Sequence, residues 1–288
     1  MEAAVTPRRI AVGAYKKVAD ALSEAAAIAE FLKEAGIEAA HGSLNDEGLR
    51  RRIKKHEFDL MIVVGGDGTV LRAAHLCAPW GVPILGVNRG RVGFLFQIET
   101  RDWRSMLDLL LDGKGWIENR MMLRAEHFRA GEPMGNWVAL NDAVVSRGQL
   151  VRPIQVTASV DDLLLTTYMA DGLIVSTPTG STAYALAAGG PILPPELRNV
   201  LLVPIAPHLS VDRAVVLSEG AAVVITVHCE NAVLSVDGQP PIALTEEDHV
   251  NIRAAEYTAR FVRFGDPGYF YRTITAYMNQ NPNLGLSR

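Results

Sequence analysis

One aspartate lies among three glycines in the segment Gly65-Gly66-Asp67-Gly68-Thr69. An unbroken apolar run at residues 60–64 predicts a strand that is buried on both faces, and residues 70–76 have a helical pattern. A strand, a glycine turn and a helix start together form a ready anion site, because unpaired backbone N–H groups point out of the turn. This segment is therefore the first candidate for phosphate chemistry.

Asp67 is the unusual residue in this segment, since a phosphate cradle does not normally place a carboxylate among its donors. An acid at this position has a purpose if it acts on a hydroxyl or a metal ion beside the phosphate. The alternative is a tight turn in which glycine supplies positive φ angles and Asp67 caps the helix. The segment alone does not decide between these two interpretations.

A second polar segment spans residues 170–184. The pattern predicts a strand that ends at Ser176 and a helix of small residues that continues to Ala188. The loop between them contains four hydroxyl residues: Thr177, Thr179, Ser181 and Thr182. These hydroxyls would suit a sugar or phosphate ligand, and Tyr184 would stack on a base. The alternative is a helix capped by Ser or Thr, which we favour less because a cap needs only one hydroxyl.

Two shorter polar motifs interrupt the apolar strands downstream. Asn141 and Asp142 lie between apolar residues, so they need partners if they are buried. A bulge or a hairpin turn would explain them, and so would an adenosine bound through the amide and the carboxylate. Asp237-Gly238-Gln239 is most simply a hairpin turn.

Composition and missing motifs exclude several classes of function. The chain has 288 residues, a net charge of -4 and a pI near 6.0, which argues against a general nucleic-acid binder. The sequence lacks G-x-x-x-x-G-K-[ST] and G-x-G-x-x-G motifs, and its seven histidines have no metal-type spacing. We therefore assign no metal ligands from sequence.

The remaining composition indicates a cytoplasmic protein. The two cysteines, Cys77 and Cys229, lie in apolar contexts and are interpreted as small buried residues without a disulfide. The N-terminus lacks the pattern of a signal peptide, and no segment reaches the ~18 apolar residues of a membrane span.

The elements that must position these residues change in character along the chain. Residues 1–119 alternate between strand and helix patterns, which predicts an α/β domain with a Rossmann-like parallel sheet. The predicted strand at residues 83–88 leads into a loop at residues 89–95, with two arginines and two glycines where ligands of such sheets collect. Glycines also permit a solvated arginine loop without any ligand.

The second half of the chain is rich in predicted strands. Residues 120–264 predict a β-rich domain, with a hairpin at Asp161-Asp162 and a last strand at residues 257–264. Residues 265–288 form a C-terminal segment with a predicted helix at residues 273–278, and this segment is expected to pack back on the first domain.

Together, these motifs resemble the ATP-NAD kinase family. The Gly65–Thr69 motif alone resembles a signature shared by diacylglycerol and sphingosine kinases, 6-phosphofructokinases and NAD kinases. Further stretches narrow the resemblance, in the family's order and spacing, to NAD kinases: residues 92–95, 140–142, 171–184, 203–208 and 237–239. The resemblance covers roughly residues 60–240.

The resemblance implies a phosphotransferase that uses ATP to phosphorylate the 2′-hydroxyl of the adenosine ribose of NAD, giving NADP. It also implies that the β-rich domain at residues 120–264 is a β-sandwich that binds NAD, and it implies a divalent metal such as Mg²⁺ and a homodimer or homotetramer. Asp67 matches the catalytic aspartate, with Tyr184 near the adenine. The positions that match NAD or ATP contacts are Gly66, Gly68, Thr69, Arg72, Phe94, Asn141, Asp142, Arg152, Asp171, Thr179, Thr182, Ala183, Tyr184, Ala185, Leu186, Ala187, Ala206 and Gln239.

Three positions depart from the family pattern. Asp142 replaces a more usual Glu, Ala170 replaces a common Gly or Ser, and Met169 stands where some relatives have Arg. These departures leave the preference for NAD or NADH open. Two rival functions are a lipid kinase of the same superfamily, which should lack the segment at residues 171–184, and a non-catalytic dinucleotide sensor, against which the retained Asp67 argues.

Overall fold

A computed structural model describes residues 6–15, 20–89, 93–149, 152–208 and 212–279, the last four of them without side chains. The chain divides into two compact units. Unit 1 consists of Met1–Asn119 and Ala259–Arg288, and unit 2 consists of Arg120–Thr258.

The strands and helices are numbered in chain order within the described residues. The strands are β1 (Arg9–Ala14), β2 (Glu38–Ser43), β3 (Leu60–Gly65), β4 (Ile84–Asn88), β5 (Ile98–Glu99), β6 (Trp116–Arg120), β7 (Leu123–Arg129), β8 (Glu132–Ala139), β9 (Asp142–Arg147), β10 (Ile154–Val160), β11 (Leu163–Ala170), β12 (Gly172–Ser176), β13 (Asn199–Ile205), β14 (Val215–Ser218), β15 (Val223–Val227), β16 (Ala232–Val236), β17 (Ile242–Leu244), β18 (His249–Ala254) and β19 (Ala259–Arg263). The α-helices are α1 (Ala21–Glu34), α2 (Glu47–Lys54), α3 (Asp67–Cys77), α4 (Trp103–Leu111), α5 (Tyr184–Ala187) and α6 (Tyr269–Asn279).

Unit 1 is built on a sheet with the strand order β2-β1-β3-β4-β19-β6, and β5 also pairs with β4. The pairs β1–β2, β1–β3, β3–β4 and β4–β5 are parallel, which confirms the predicted Rossmann-like α/β fold. Every residue of β3 is buried, as an apolar strand covered on both faces must be. The register pairs Gly65 with Asn88, so the glycine turn after β3 and the loop after β4 begin at the same sheet edge.

Unit 2 contains two antiparallel sheets. Their strand orders are β11-β10-β15-β18-β7-β8 and β14-β13-β12-β9-β16-β17. Leu123 and Val156 of the first sheet share one apolar core with Leu173 and Val200 of the second. Strands β15 and β16 alternate between buried and partly exposed residues, as sandwich strands with one inward face do. The predicted β-rich fold is thus observed as two packed sheets.

The strand that we expected at residues 257–264 does not continue the β-rich series. It is observed as β19, and Phe261 pairs in parallel with Ile84 of β4 in unit 1. Phe261 and Val262 point to opposite faces of the strand and are both fully buried, as a strand inside a covered parallel sheet requires.

Two helices begin earlier than their sequence patterns predicted. The helix expected at residues 70–76 is α3 and starts at Asp67, while the helix expected at residues 273–278 is α6 and starts at Tyr269. The Asp266 carboxylate receives the Gly268 N–H at 2.7 Å and pairs with Arg272 at 3.0 Å, which fixes the chain just before α6.

The cysteine interpretation holds for only one of the two residues. Cys77 is fully buried, and this burial raises the pKa of its thiol. Cys229 is only partly buried, so it is not the core residue that we expected, although it packs against the sandwich core. No helix within the described ranges is long and apolar enough to cross a membrane.

Candidate functional site

The glycines around Asp67 differ in whether packing leaves room for a side chain at their positions. A Cβ at Gly65 would lie 2.7 Å from Thr69 Cβ, so packing within the turn requires glycine there. A Cβ at Gly66 or Gly68 would meet nothing within 4 Å among the described residues, and neither has a positive φ. These two glycines leave the first turn of α3 open, where an anion can approach its N–H groups.

Asp67 is the first residue of α3 and is exposed. The N-cap of the helix is Gly66, so the interpretation of Asp67 as the helix cap is wrong. A Cβ at Gly93 would lie 2.7 Å from Asp67 Oδ2 and 2.8 Å from its Cγ. The backbone of Gly93 therefore lies directly against the carboxylate and forms one wall beside it.

Three other predicted residues of unit 1 lie near this edge of the sheet. Thr69 is buried and its side chain contacts Gly65. Arg72 follows Gly68 by one helical turn, is exposed, and places its guanidinium 4.6 Å from the centre of the Tyr15 ring. Phe94 packs against Phe270, with 6.3 Å between the ring centres.

The arginine loop at residues 89–95 is only partly available to a ligand. Arg89 pairs with Asp20 at 3.1 Å and with Glu24 at 3.6 Å, so two acids already occupy its guanidinium. Arg91 lies outside the described residues. At Arg89 these ion pairs favour the alternative of an arginine loop without a ligand.

Asp237 in unit 2 has a structural role that its sequence pattern, a simple hairpin turn, does not predict. Asp237 and Gly238 have φ angles of 48° and 64° in the predicted hairpin turn between β16 and β17. The Asp237 carboxylate also accepts three consecutive backbone N–H groups, from Leu140 at 2.7 Å, Asn141 at 2.8 Å and Asp142 at 3.0 Å. Asp237 thus fixes the bend between β8 and β9, although about 95 residues separate the two motifs.

The carboxyl group of Asp142 titrates near neutrality. Asp142 is 5% exposed and begins β9. Burial, and secondly the negative charge of Asp237, raise the pKa of Asp142 to about 7. The side chain can therefore donate a hydrogen bond when it is protonated and accept hydrogen bonds when it is ionised.

The hydroxyl loop differs from its prediction. Three of its four hydroxyls donate to backbone carbonyls: Thr177 to Leu140 at 2.5 Å, Ser181 to Pro178 at 2.6 Å, and Thr182 to Thr179 at 3.1 Å. Only Thr179 Oγ1 is buried without a hydrogen-bond partner among the described residues. Most of these hydroxyls therefore stabilise the loop itself, although their oxygens can still accept a hydrogen bond.

The helix expected to continue to Ala188 is observed, but it is shorter than its pattern predicted. A 3₁₀ turn at Gly180–Thr182 precedes the four-residue α5, and Ala183, with φ −103° and ψ −124°, interrupts them. A Cβ at Gly180 would lie 2.5 Å from the Asn141 carbonyl carbon, so the loop turns tightly against the bend at Asn141. Thr177 N also donates to Asn141 O at 2.8 Å.

These contacts unite three motifs into one polar cluster of unit 2. The cluster comprises residues 140–142, residues 176–182 and Asp237. Tyr184, 47% exposed, and the partly exposed Asn141 and Thr182 belong to or adjoin it. We call this set the polar cluster.

The other predicted residues of unit 2 have varied settings. Asp171 pairs with Arg147 at 3.2 Å, and its N–H donates to the carbonyl oxygen of Ile205, next to Ala206, whose φ is 44°. Ala185 is buried against a small apolar cluster on the second sheet and therefore serves packing. The rest are exposed or partly exposed: Arg152, Ala183, Leu186, Ala187, Ala206 and Gln239.

Comparisons with known protein families agree with this architecture. The profile of the ATP-NAD kinase N-terminal domain matches residues 12–115, and that of the ATP-NAD kinase C-terminal domain matches residues 140–264. The NAD kinase of Chloroflexus aurantiacus is 40% identical over 275 residues, covering 95% of this chain and 99% of that protein. The NAD kinase of Heliobacterium modesticaldum is 46% identical over 224 residues, covering 77% of this chain and 78% of that protein.

Solved structures resemble the chain as well. An NAD kinase from Archaeoglobus fulgidus in complex with ATP has a TM-score of 0.76 at 27% identity, covering 94% of this chain and 98% of that one. Yeast NADH kinase complexed with NADH shares the fold, with a TM-score of 0.83 at 22% identity and coverage of 98% and 91%. On the two family profiles and the full-length relatives, this chain belongs to the ATP-NAD kinase family.

Proposed function

We propose that this protein transfers the γ-phosphoryl group of ATP to the 2′-hydroxyl of the adenosine ribose of NAD, giving NADP. The observation that carries the proposal is the setting of Asp67, an exposed residue at the start of α3 beside two glycines that packing among the described residues does not require. Family membership supplies the acceptor and the donor, since the relatives are NAD kinases.

Asp67 is proposed to accept a hydrogen bond from the ribose hydroxyl and to take its proton as attack proceeds. Phosphoryl transfer depends mainly on positioning and on charge neutralisation. Because a carboxylate is a weak base at neutral pH, alignment of the hydroxyl contributes more than basicity. The wall formed by Gly93 restricts where the Asp67 carboxylate can lie.

The open turn at Gly66 and Gly68 is proposed to receive the phosphates of ATP through its backbone N–H groups. A divalent ion fits the same place, since Mg²⁺ is usually held by one or two carboxylates together with substrate phosphates and water. Within the described ranges, no group of three or more His, Cys, Asp or Glu side chains could hold a metal ion by itself, so the substrate phosphates would supply the other ligands beside the exposed carboxylate of Asp67. When bound, Mg²⁺ neutralises charge on the phosphates.

The polar cluster of unit 2 is proposed to bind NAD. Asn141 and Asp142 hold the adenosine, Tyr184 offers an exposed ring for the adenine, and the Oγ1 atom of Thr179 supplies a hydroxyl that the fold leaves unpartnered within the described residues. Asp142 is one methylene shorter than Glu, and its bend is fixed by Asp237. A short, rigidly held carboxyl suits a ribose hydroxyl better than a flexible one.

An acceptor panel tests the proposal directly. The purified protein is incubated with ATP, Mg²⁺ and, separately, NAD, NADH or diacylglycerol, and each product is detected. We expect NADP from NAD and no phosphorylated lipid. Phosphatidic acid instead of NADP would establish the lipid kinase alternative, whereas NAD binding without turnover would establish the sensor alternative.

Several narrower expectations stay predictions. They are a homodimer or homotetramer, the divalent metal, a cytoplasmic location, and the role of the β-rich unit as the NAD-binding domain. Size measurement in solution and turnover after chelation of divalent ions test the first two.

A further inference from the structure

Unit 1 contains a buried ion pair that contacts the loop after β4. Arg263 of β19 donates through Nε to Glu118 Oε2 of β6 at 2.9 Å, and the two side chains are 1% and 6% exposed. The hydroxyl of Tyr269, from α6, donates to Glu118 Oε1 at 2.6 Å. The Arg263 guanidinium also lies 5.0 Å from the centre of the Tyr269 ring. Three elements thus hold this guanidinium in one orientation.

The guanidinium makes one more hydrogen bond, to the loop after β4. Arg263 Nη1 donates to the carbonyl oxygen of Leu95 at 3.0 Å. Leu95 lies two residues after Gly93, whose backbone lies against the Asp67 carboxylate. A continuous series of contacts therefore runs from Arg263 through Leu95 and Gly93 to Asp67.

Stability alone is a poor explanation for this ion pair. A buried charge pair must be removed from water, and well-packed apolar side chains of similar volume often stabilise a fold equally well. In addition, the Arg263 Nη2 atom is buried without a hydrogen-bond partner among the described residues. Apolar side chains cannot bind one chosen carbonyl in one geometry, whereas the rigid fork of a guanidinium can.

We propose that Arg263 is a positioning residue for the phosphoryl transfer: it fixes the Gly93–Leu95 segment, and this segment fixes the Asp67 carboxylate. The inference rests on the proposed catalytic role of Asp67. Arg263 itself contacts neither the carboxylate nor a substrate in this account. Its loss should therefore lower turnover and leave substrate binding nearly unchanged.

The test compares Arg263→Met, Arg263→Lys and a control, Trp103→Phe. Trp103 is a buried residue of the same unit whose indole donates to Glu24 at 2.5 Å, so its variant loses one partly buried hydrogen bond that does not involve Arg263. Turnover at saturating ATP and NAD, both KM values, Tm, and hydrogen exchange of peptides spanning residues 93–97 are measured for each variant.

We expect Arg263→Met to lower kcat by about tenfold or more, with KM for NAD within about twofold of wild type. Hydrogen exchange at residues 93–97 should become faster. Arg263→Lys, which keeps a single donor, should regain part of the lost kcat. Trp103→Phe should keep kcat within about twofold of the wild-type value, even if its Tm falls by as much as that of Arg263→Met.

A folded Arg263→Met variant with wild-type kcat, or with unchanged exchange at residues 93–97, would overturn the inference. The inference would also be overturned if Trp103→Phe lost as much kcat as Arg263→Met for the same decrease in Tm. If Arg263→Met does not fold, Tyr269→Phe takes its place, because it removes only one hydroxyl from Glu118. An unchanged kcat in that variant would also overturn the inference. Absence of NADP with the wild-type protein is a separate result, which contradicts the proposed function itself.

Discussion

The carboxylate of Asp67 belongs to an exposed residue and has the backbone of Gly93 directly against it. Gly93 leaves no space for a side chain against it, while Gly66 and Gly68 leave the first turn of α3 uncovered. Close packing against the acid, next to a helix turn that the described residues leave uncovered, suits a reacting group, because a substrate hydroxyl and a phosphate must both approach. The proposed function of Asp67 therefore depends on the absence of side chains at Gly66, Gly68 and Gly93.

Gly93→Ala tests the wall beside the carboxylate. The added methyl group would lie 2.7 Å from Asp67 Oδ2, so the carboxylate must move. We expect kcat to fall by about tenfold or more with little change in KM, because misplacement by about 1 Å costs heavily in the transition state. Gly220→Ala is the matched control, since a Cβ there meets nothing within 4 Å among the described residues and its φ is not positive. Equal kcat values for the two variants would contradict the account.

Asp142 predicts a pH-dependent stability. Its folded-state pKa of about 7 lies above its ordinary value of 3.8, so the native state binds the proton more tightly than the unfolded state does. The stability from the protonated form is complete below about pH 4 and is lost as the pH rises through about 7. The free energy of unfolding of Asp142→Asn, relative to wild type, should therefore increase by about 2 kcal/mol from about pH 5 to about pH 8. Denaturant titrations at both pH values measure this difference, and a constant difference would refute it.

The bend between β8 and β9 is the element on which the polar cluster depends. Its three consecutive N–H groups all donate to the carboxylate of Asp237, a residue of another hairpin. The hydroxyl loop then packs on the same bend through Thr177 and Gly180. The placement of Asn141 and Asp142 is thus set by an anion within the protein.

Asp237→Ala tests the role of this bend, because it removes the acceptor of its three N–H groups. Three N–H groups would lose their acceptor, so we expect a destabilisation of about 2–4 kcal/mol and a KM for NAD raised by about tenfold or more. Asp46→Ala is the control, because it removes the N-cap of α2 in unit 1 and costs about 1 kcal/mol. Calorimetry and initial rates measure both quantities. A control that raises KM for NAD to the same extent would show that the effect is not specific to the bend.

Local patterns predicted the turns of this site but not its long-range contacts. The glycine turn after β3 and the hairpin at Asp237-Gly238 follow from residue types that adopt such turns. The number of hydroxyls in the loop favours a ligand site, but the sequence does not show that the hydroxyls of Thr177 and Ser181 donate to nearby carbonyls. The acceptor of Thr177 is Leu140, which lies 37 residues away in the chain.

The order of elements predicted both fold classes of the molecule. Alternating strands and helices gave the parallel sheet of unit 1, and short alternating strands gave the sandwich of unit 2. The return of the chain to unit 1 at β19 was missed, because a short strand of apolar residues has the same pattern in either kind of sheet. This return brings Arg263 to the loop that carries Gly93.

The measurement that tests the central claim most directly is the turnover of Asp67→Asn at saturating ATP and NAD, with NADP formation as the readout. Asparagine keeps the size of the side chain and removes the proton acceptor. The account predicts that kcat falls by about 100-fold or more while the KM for NAD stays within about threefold. The matched control is Asp108→Asn, which removes an exposed charge from α4 and should leave kcat unchanged. Near-normal turnover of Asp67→Asn would contradict the assignment of Asp67 as the residue that takes the proton.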